Sequence, residues 1–176
     1  MHYNVEKSGY EWVKVERRNQ PAFWLYRQVE LMFLGQFEHS IDEKGRLTVP
    51  HRFRTMLENG IYLMFGLDGN LMLMPSEYFQ RFSNKISKMN MADPTARDYM
   101  RQFFANTELV SHDDAWRILI PQNLRQLAHL NSNAVIVGSG KYAEIWSPDQ
   151  WTAQLKKLND PVASAKKFAA LDLADE

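Results

Sequence analysis

The sequence predicts an α+β fold in which two tandem copies of one small unit fuse into a barrel-like body. Three observations carry that prediction. First, Asp42-Glu43-Lys44-Gly45-Arg46-Leu47-Thr48-Val49-Pro50-His51-Arg52-Phe53-Arg54 returns as Asp113-Asp114-Ala115-Trp116-Arg117-Ile118-Leu119-Ile120-Pro121-Gln122-Asn123-Leu124-Arg125, an offset of 71 (113 − 42) with Asp, the first Arg, Pro and the last Arg in register. Self-similarity at a fixed offset reports architecture before any element is assigned. Second, short apolar or β-branched runs bounded by turn residues alternate with stretches of helical spacing, in the same order in both halves. Third, one unit of this size is short of core, so two copies are expected to share one.

Each unit is read as strand, turn, strand, short helix, strand, turn, strand and a longer helix. The Asp-to-Arg segment is a polar turn feeding Leu47-Thr48-Val49 in one copy and Ile118-Leu119-Ile120 in the other. Asp42 can bond forward to the turn's N–H groups, and Gly45 supplies the positive φ that a tight turn requires. Pro50 and Pro121 fit a first helical position, where a missing N–H costs nothing. Phe53, Met56 and Leu57, like Leu124, Leu127 and Ala128, give these short helices a buried face, and Asn59-Gly60 and Asn131 end them.

Beyond the helix, Ile61 to Phe65 aligns with Asn133 to Val137 at an offset of 72, one residue more than in the turn. Asp68-Gly69-Asn70 and Ser139-Gly140-Lys141 are turn signals, followed by strands Leu71 to Met74 and Tyr142 to Trp146. Residues 76–90 read as an amphipathic helix with Tyr78, Phe79, Phe82, Ile86 and Met89 on one face. Asp93-Pro94 starts another that carries Tyr99, Met100, Phe103 and Phe104, while Ser147-Pro148-Asp149-Gln150 is a capping box ahead of Trp151. The expected organisation is an extension over 1–31, a first repeat over 32–90, a second over 91–158 and a tail over 159–176.

Composition bounds the function. The 21 basic and 21 acidic side chains cancel, so attraction to nucleic acid must come from a local patch. Without cysteine there are no disulfides and no thiolate metal sites, which fits a cytoplasmic protein. No apolar run, Ala22 to Tyr26 being an example, approaches the roughly 20 residues of a membrane span. His112-Asp113-Asp114 lacks further ligands at metal spacing, and no P-loop, G-x-S-x-G or dinucleotide fingerprint occurs. The expectation is a protein that is no enzyme, takes no cofactor, and shows no small-molecule ligand.

The two D-x-x-x-R blocks, the Met32-Phe33-Leu34-Gly35 opening and Glu144-Ile145-Trp146 with Trp151 together resemble the MraZ family over about residues 32 to 158. That resemblance implies two tandem AbrB/SpoVT-type swapped-hairpin units in a β-barrel with short helices. It implies sequence-specific DNA binding upstream of the division and cell-wall gene cluster, by a ring-shaped homo-oligomer at the nucleoid. Because it begins sharply at Met32, residues 1–31 are expected to be an extension ahead of a natural start there. The alternative is an arm whose Lys14, Arg17, Arg18 and Arg27 touch DNA.

Lys44, Arg46, Arg52 and Arg54 fall within 11 residues around the Gly45 turn, an excess of about two cations over Asp42 and Glu43. They are the candidate contacts to double-stranded DNA, with Asp42 and Gly45 shaping the turn. The second copy has Trp116 for Gly45 and Ala115 for Lys44. Because a bulky residue resists positive φ and Asp113-Asp114 opposes phosphate, Asp113 and Arg117 are expected to form a structural pair and DNA contact to concentrate in the first half. Rival expectations are an AbrB-type antitoxin, whose members are usually one unit with a toxin-binding tail, and an oligomeric protein-interaction module.

Overall fold

The computed structural model describes residues 11–15, 23–27, 32–160 and 171. The chain divides into two units, Met1–Met32 and Phe33–Glu176. In the first, β1 (Glu11–Val15) pairs antiparallel with β2 (Phe23–Arg27), from Glu11 opposite Arg27 to Val15 opposite Phe23. The sequence assigned no element there. Lys14 and Arg27 lie on these strands, whereas Arg17 and Arg18 fall outside the described residues, as does all of the tail after Asp160 but Leu171.

The second unit runs β3 (Gln36–Ser40), β4 (Arg46–Thr48), a 3-10 turn (His51–Phe53) continuing into α1 (Arg54–Leu57), β5 (Ile61–Phe65), β6 (Leu71–Pro75) and α2 (Ser76–Ser87). It then continues α3 (Pro94–Ala105), β7 (Thr107–Val110), β8 (Arg117–Leu119), α4 (Gln122–Leu127), β9 (Asn133–Gly138), β10 (Ala143–Trp146) and α5 (Pro148–Leu158). Six strands form one antiparallel sheet in the order β3-β9-β10-β6-β5-β7, and β4 pairs with β8 as a separate ribbon. Exchanging each strand for its counterpart in the other repeat reverses the sheet order onto itself. Each repeat therefore lends its first strand to the other: β3 pairs with β9, and β7 with β5.

Two isolated bridges, Ile41 to Leu47 and His112 to Ile118, tie the ribbon to the sheet's edge strands and close the barrel. Closure leaves fewer free edges to template aggregation. The local twofold passes through the Leu47–Ile118 pair in the ribbon and the Met72–Glu144 pair in the sheet. Leu47, Val49, Ile118, Ile120, Phe53 and Leu124 fill the space between them and are essentially inaccessible. Burying each contributes about 1.5–3 kcal/mol.

The ladders correct the alignment of the halves. Gln36 faces Val137, whereas its counterpart Thr107 faces Met64, so Met64 and Val137 are equivalent and the offset there is 73 (137 − 64), not 72. Added length follows α4, which ends differently from α1. His129, at φ 52°, takes the left-handed position; its N–H donates to the Gln126 carbonyl and that of Leu130 to the Arg125 carbonyl. This is a Schellman ending with Leu130 buried beyond it, so the helix stops ahead of Asn131. Pro50 and Pro121 also sit one place earlier than expected. Their ψ values, 137° and 145°, are extended, so they cap the turns and the next residue begins the helix.

The longer helices start where their caps predict. The Asp93 side chain accepts from the Thr95 N–H, and Ser147 from the Gln150 N–H. α2 and α3 pack aromatics over β5 and β6, with Tyr62 stacked on Phe79 at 3.8 Å and Phe79 on Phe103 at 5.9 Å. α5 seats Trp151 beside Trp146, and the Trp151 indole donates to the Gln36 side chain at 2.9 Å. No helix among the described residues is long and apolar enough to cross a membrane.

Candidate nucleic-acid interface

The two Asp–Arg turns are built alike. The Asp42 Oδ1 accepts from the Lys44 and Arg46 N–H groups at 3.0 and 2.9 Å, and its Oδ2 accepts from Arg46 Nε at 2.8 Å and its terminal nitrogen at 2.7 Å. Asp113 repeats the pattern on the Ala115 and Arg117 N–H groups at 3.0 Å each, and on Arg117 Nε and its terminal nitrogen at 2.8 and 2.7 Å. Each carboxylate thus replaces the backbone partners a tight turn leaves open. Hydrogen bonds from Arg46, then its charge, hold the Asp42 carboxyl below its ordinary range. Arg117 holds that of Asp113 lower, to about 2, and is itself pushed up by Asp113.

Trp116 overturns one expectation. It adopts φ 56°, the same left-handed place that Gly45 holds at 81°. The cost of a side chain there, about 1–2 kcal/mol, is offset by packing. The indole stacks on His112 at 3.7 Å, and the Arg54 guanidinium lies over it at 5.7 Å. The second turn is therefore the structural twin of the first.

The swap also redistributes the cations. Arg54 donates from Nε to the Val49 carbonyl at 3.3 Å and covers Trp116, in the other repeat's turn. Arg125 donates to the Ile120 carbonyl at 3.2 Å and lies against Gly45, where a Cβ would come within 2.8 Å of its guanidinium carbon. Each turn is thus clasped by an arginine of the opposite repeat. Closeness in sequence is not contact: Arg125, not Arg54, lies at Gly45 next to Lys44, and Arg54 lies over Trp116. Arg125 was missed as a site residue although its register with Arg54 marked it.

The candidates differ in freedom. Lys44 and Arg52 are exposed, Lys44 at the tip of the first turn and Arg52 on the 3-10 turn. Arg46 and Arg54 are half-buried and already bonded; Arg46 also reaches Asp113 at 3.5 Å, joining both Asp–Arg pairs in one four-charge cluster. Asp113 is thereby committed to arginine, and no group of three or more His, Asp or Glu among the described residues could hold a metal ion.

Fold and site define a class: a duplicated swapped-hairpin barrel whose two exposed turns are pinned by Asp–Arg pairs and cross-clasped by arginines. The model of the MraZ protein family, antitoxin-like by its description, matches twice, at residues 32–102 and 103–173, again 71 residues apart. A protein of Thermomicrobium roseum named Transcriptional regulator MraZ is 43% identical over 127 residues, 72% of this chain and 89% of its own. Proteins of the same name from Herpetosiphon aurantiacus and Clostridium acetobutylicum are 39% and 33% identical, over 73% and 81% of this chain and 90% and 100% of theirs. The chain belongs to the MraZ family.

Proposed function

We propose that this protein is a sequence-specific DNA-binding transcriptional regulator, and that it represses its own promoter and the division and cell-wall gene cluster. The supporting observation is the pair of pinned turns beside the β4–β8 ribbon, with Lys44 and Arg52 projecting from a chain that is electrically balanced as a whole. A β-ribbon fits the major groove, and rigid turns contact it without an ordering cost. Lys44 and Arg52 would neutralise phosphates. Arg46 would present one edge while holding its turn, and Arg54 would brace the second turn against the backbone.

So few phosphate contacts per chain bind weakly, and a homo-oligomeric ring would multiply them along repeated short sites. Such a protein would act in the cytoplasm, at the nucleoid. The antitoxin reading, which the family's description invites, is less supported because the barrel is built from two internal repeats.

A gel-shift titration with DNA from upstream of the protein's own coding region, against scrambled DNA at several salt concentrations, tests this. Specific binding whose logarithm falls with log salt by about 0.9 per phosphate, for several phosphates, is expected. Equal weak binding to both DNAs would overturn the proposal.

A further inference from the structure

Away from the turns, a cavity of about 200 Å³ opens between the β5–β6 hairpin, α2, α3 and the start of β10. Aromatic rings form much of its wall: Phe82, Tyr99, Phe103 and Tyr142. Two carboxylates, Asp68 and Glu144, face it, and its lining residues include no lysine, arginine or histidine. Glu144 stands where the local symmetry puts Met72 in the other repeat, so one of the two central sheet positions carries a charge and its counterpart a thioether. That carboxylate accepts from the Trp146 indole at 2.9 Å, which occupies only part of its acceptor capacity.

Aromatic faces carry negative potential and attract cations, most strongly where water is excluded. Glu144, which is half-buried, is stabilised by the same partner, and Asp68 stands exposed beside it. Tyr142 senses this environment: burial first, then the charges of Glu144, Tyr78 and Asp68, push its phenol up. Burial opposes a charge of either sign, but the part contributed by Glu144 and Asp68 is negative potential, which favours an ammonium.

We propose that this cavity binds a small organic ammonium ion, seated against the aromatic faces and neutralised by Asp68 and Glu144. Neither phosphate nor a carboxylic acid fits such a lining.

The full chain would be titrated by calorimetry with tetramethylammonium and with 1,4-diaminobutane. Sodium chloride at equal ionic strength and neutral tert-butanol serve as references. Saturable binding of at least one ammonium and of neither reference is expected, weakened about tenfold or more in Glu144→Gln and Asp68→Asn. A response matched by sodium chloride, or binding of unchanged strength in both variants, would overturn the proposal. Should a variant fail to fold, methyl resonances in the wild-type protein decide: those of Met64 and Met72, which line the cavity, should move on titration, and shifts confined to other methionines would refute the site.

Discussion

In the first turn the left-handed position is Gly45 and its neighbour is Lys44; in the second these are Trp116 and Ala115. The backbones nevertheless match, bond for bond, around Asp42 and Asp113. Turn geometry here is set by the carboxylate and the arginine four residues on, not by glycine. What the glycine decides is the surface: at Gly45 the arginine of the opposite repeat closes directly on backbone, whereas at Trp116 it closes on an indole. One scaffold therefore presents a flat cationic tip and a bulky aromatic, acidic one.

The comparison can be broken at its axis first. Leu47→Ala and Ile118→Ala remove side chains that face each other across the local twofold, and each should cost about 2–5 kcal/mol in urea unfolding. Costs differing by more than twofold would mean that the two halves are not energetically equivalent. Next, Gly45→Ala places a Cβ at positive φ and against Arg125, and should cost about 1–2 kcal/mol. Trp116→Gly removes both strain and stacking, so its melting temperature should move less than that of Gly45→Ala.

Acid separates the turns more finely. The Asp113 carboxyl lies at about 2 when folded against an ordinary 3.8, so its contribution is full above about pH 4 and is lost as the pH falls toward 2. Asp113→Asn should flatten the stability–pH curve in that window, and Asp42→Asn, whose carboxyl is also lowered but less so, should soften the acid limb to a smaller extent. An unchanged acid limb in both would remove the pinning role. The smallest effect concerns the tips: Lys44→Ala should reduce the salt slope of DNA binding by about 0.9 per turn engaged, and Ala115→Lys should raise it.

Much of this was legible because it is local. The D-x-x-x-R spacing puts a carboxylate within reach of its own turn, and the Asp93 and Ser147 caps announce their helices. What escaped depends on partners distant in sequence. Whether Trp116 tolerates left-handed backbone is decided by His112 and Arg54 around it, and which arginine clasps which turn is decided by the strand exchange. His129 was overlooked as a helix terminator because the sequence offers Asn131, a commoner left-handed residue, two places later.

The exchange of first strands has a consequence for the growing chain on the ribosome. Gln36 pairs with Val137, 101 residues (137 − 36) further on, so at roughly 5–20 residues per second β3 waits about 5–20 s for its partner to be synthesised. Until then the first repeat cannot form the β3–β9 ladder within its own chain. Guarding the unpaired first strand until the second repeat emerges is thus a task set by the fold itself, because a nascent chain stalled before β9 leaves β3 without its ladder partner.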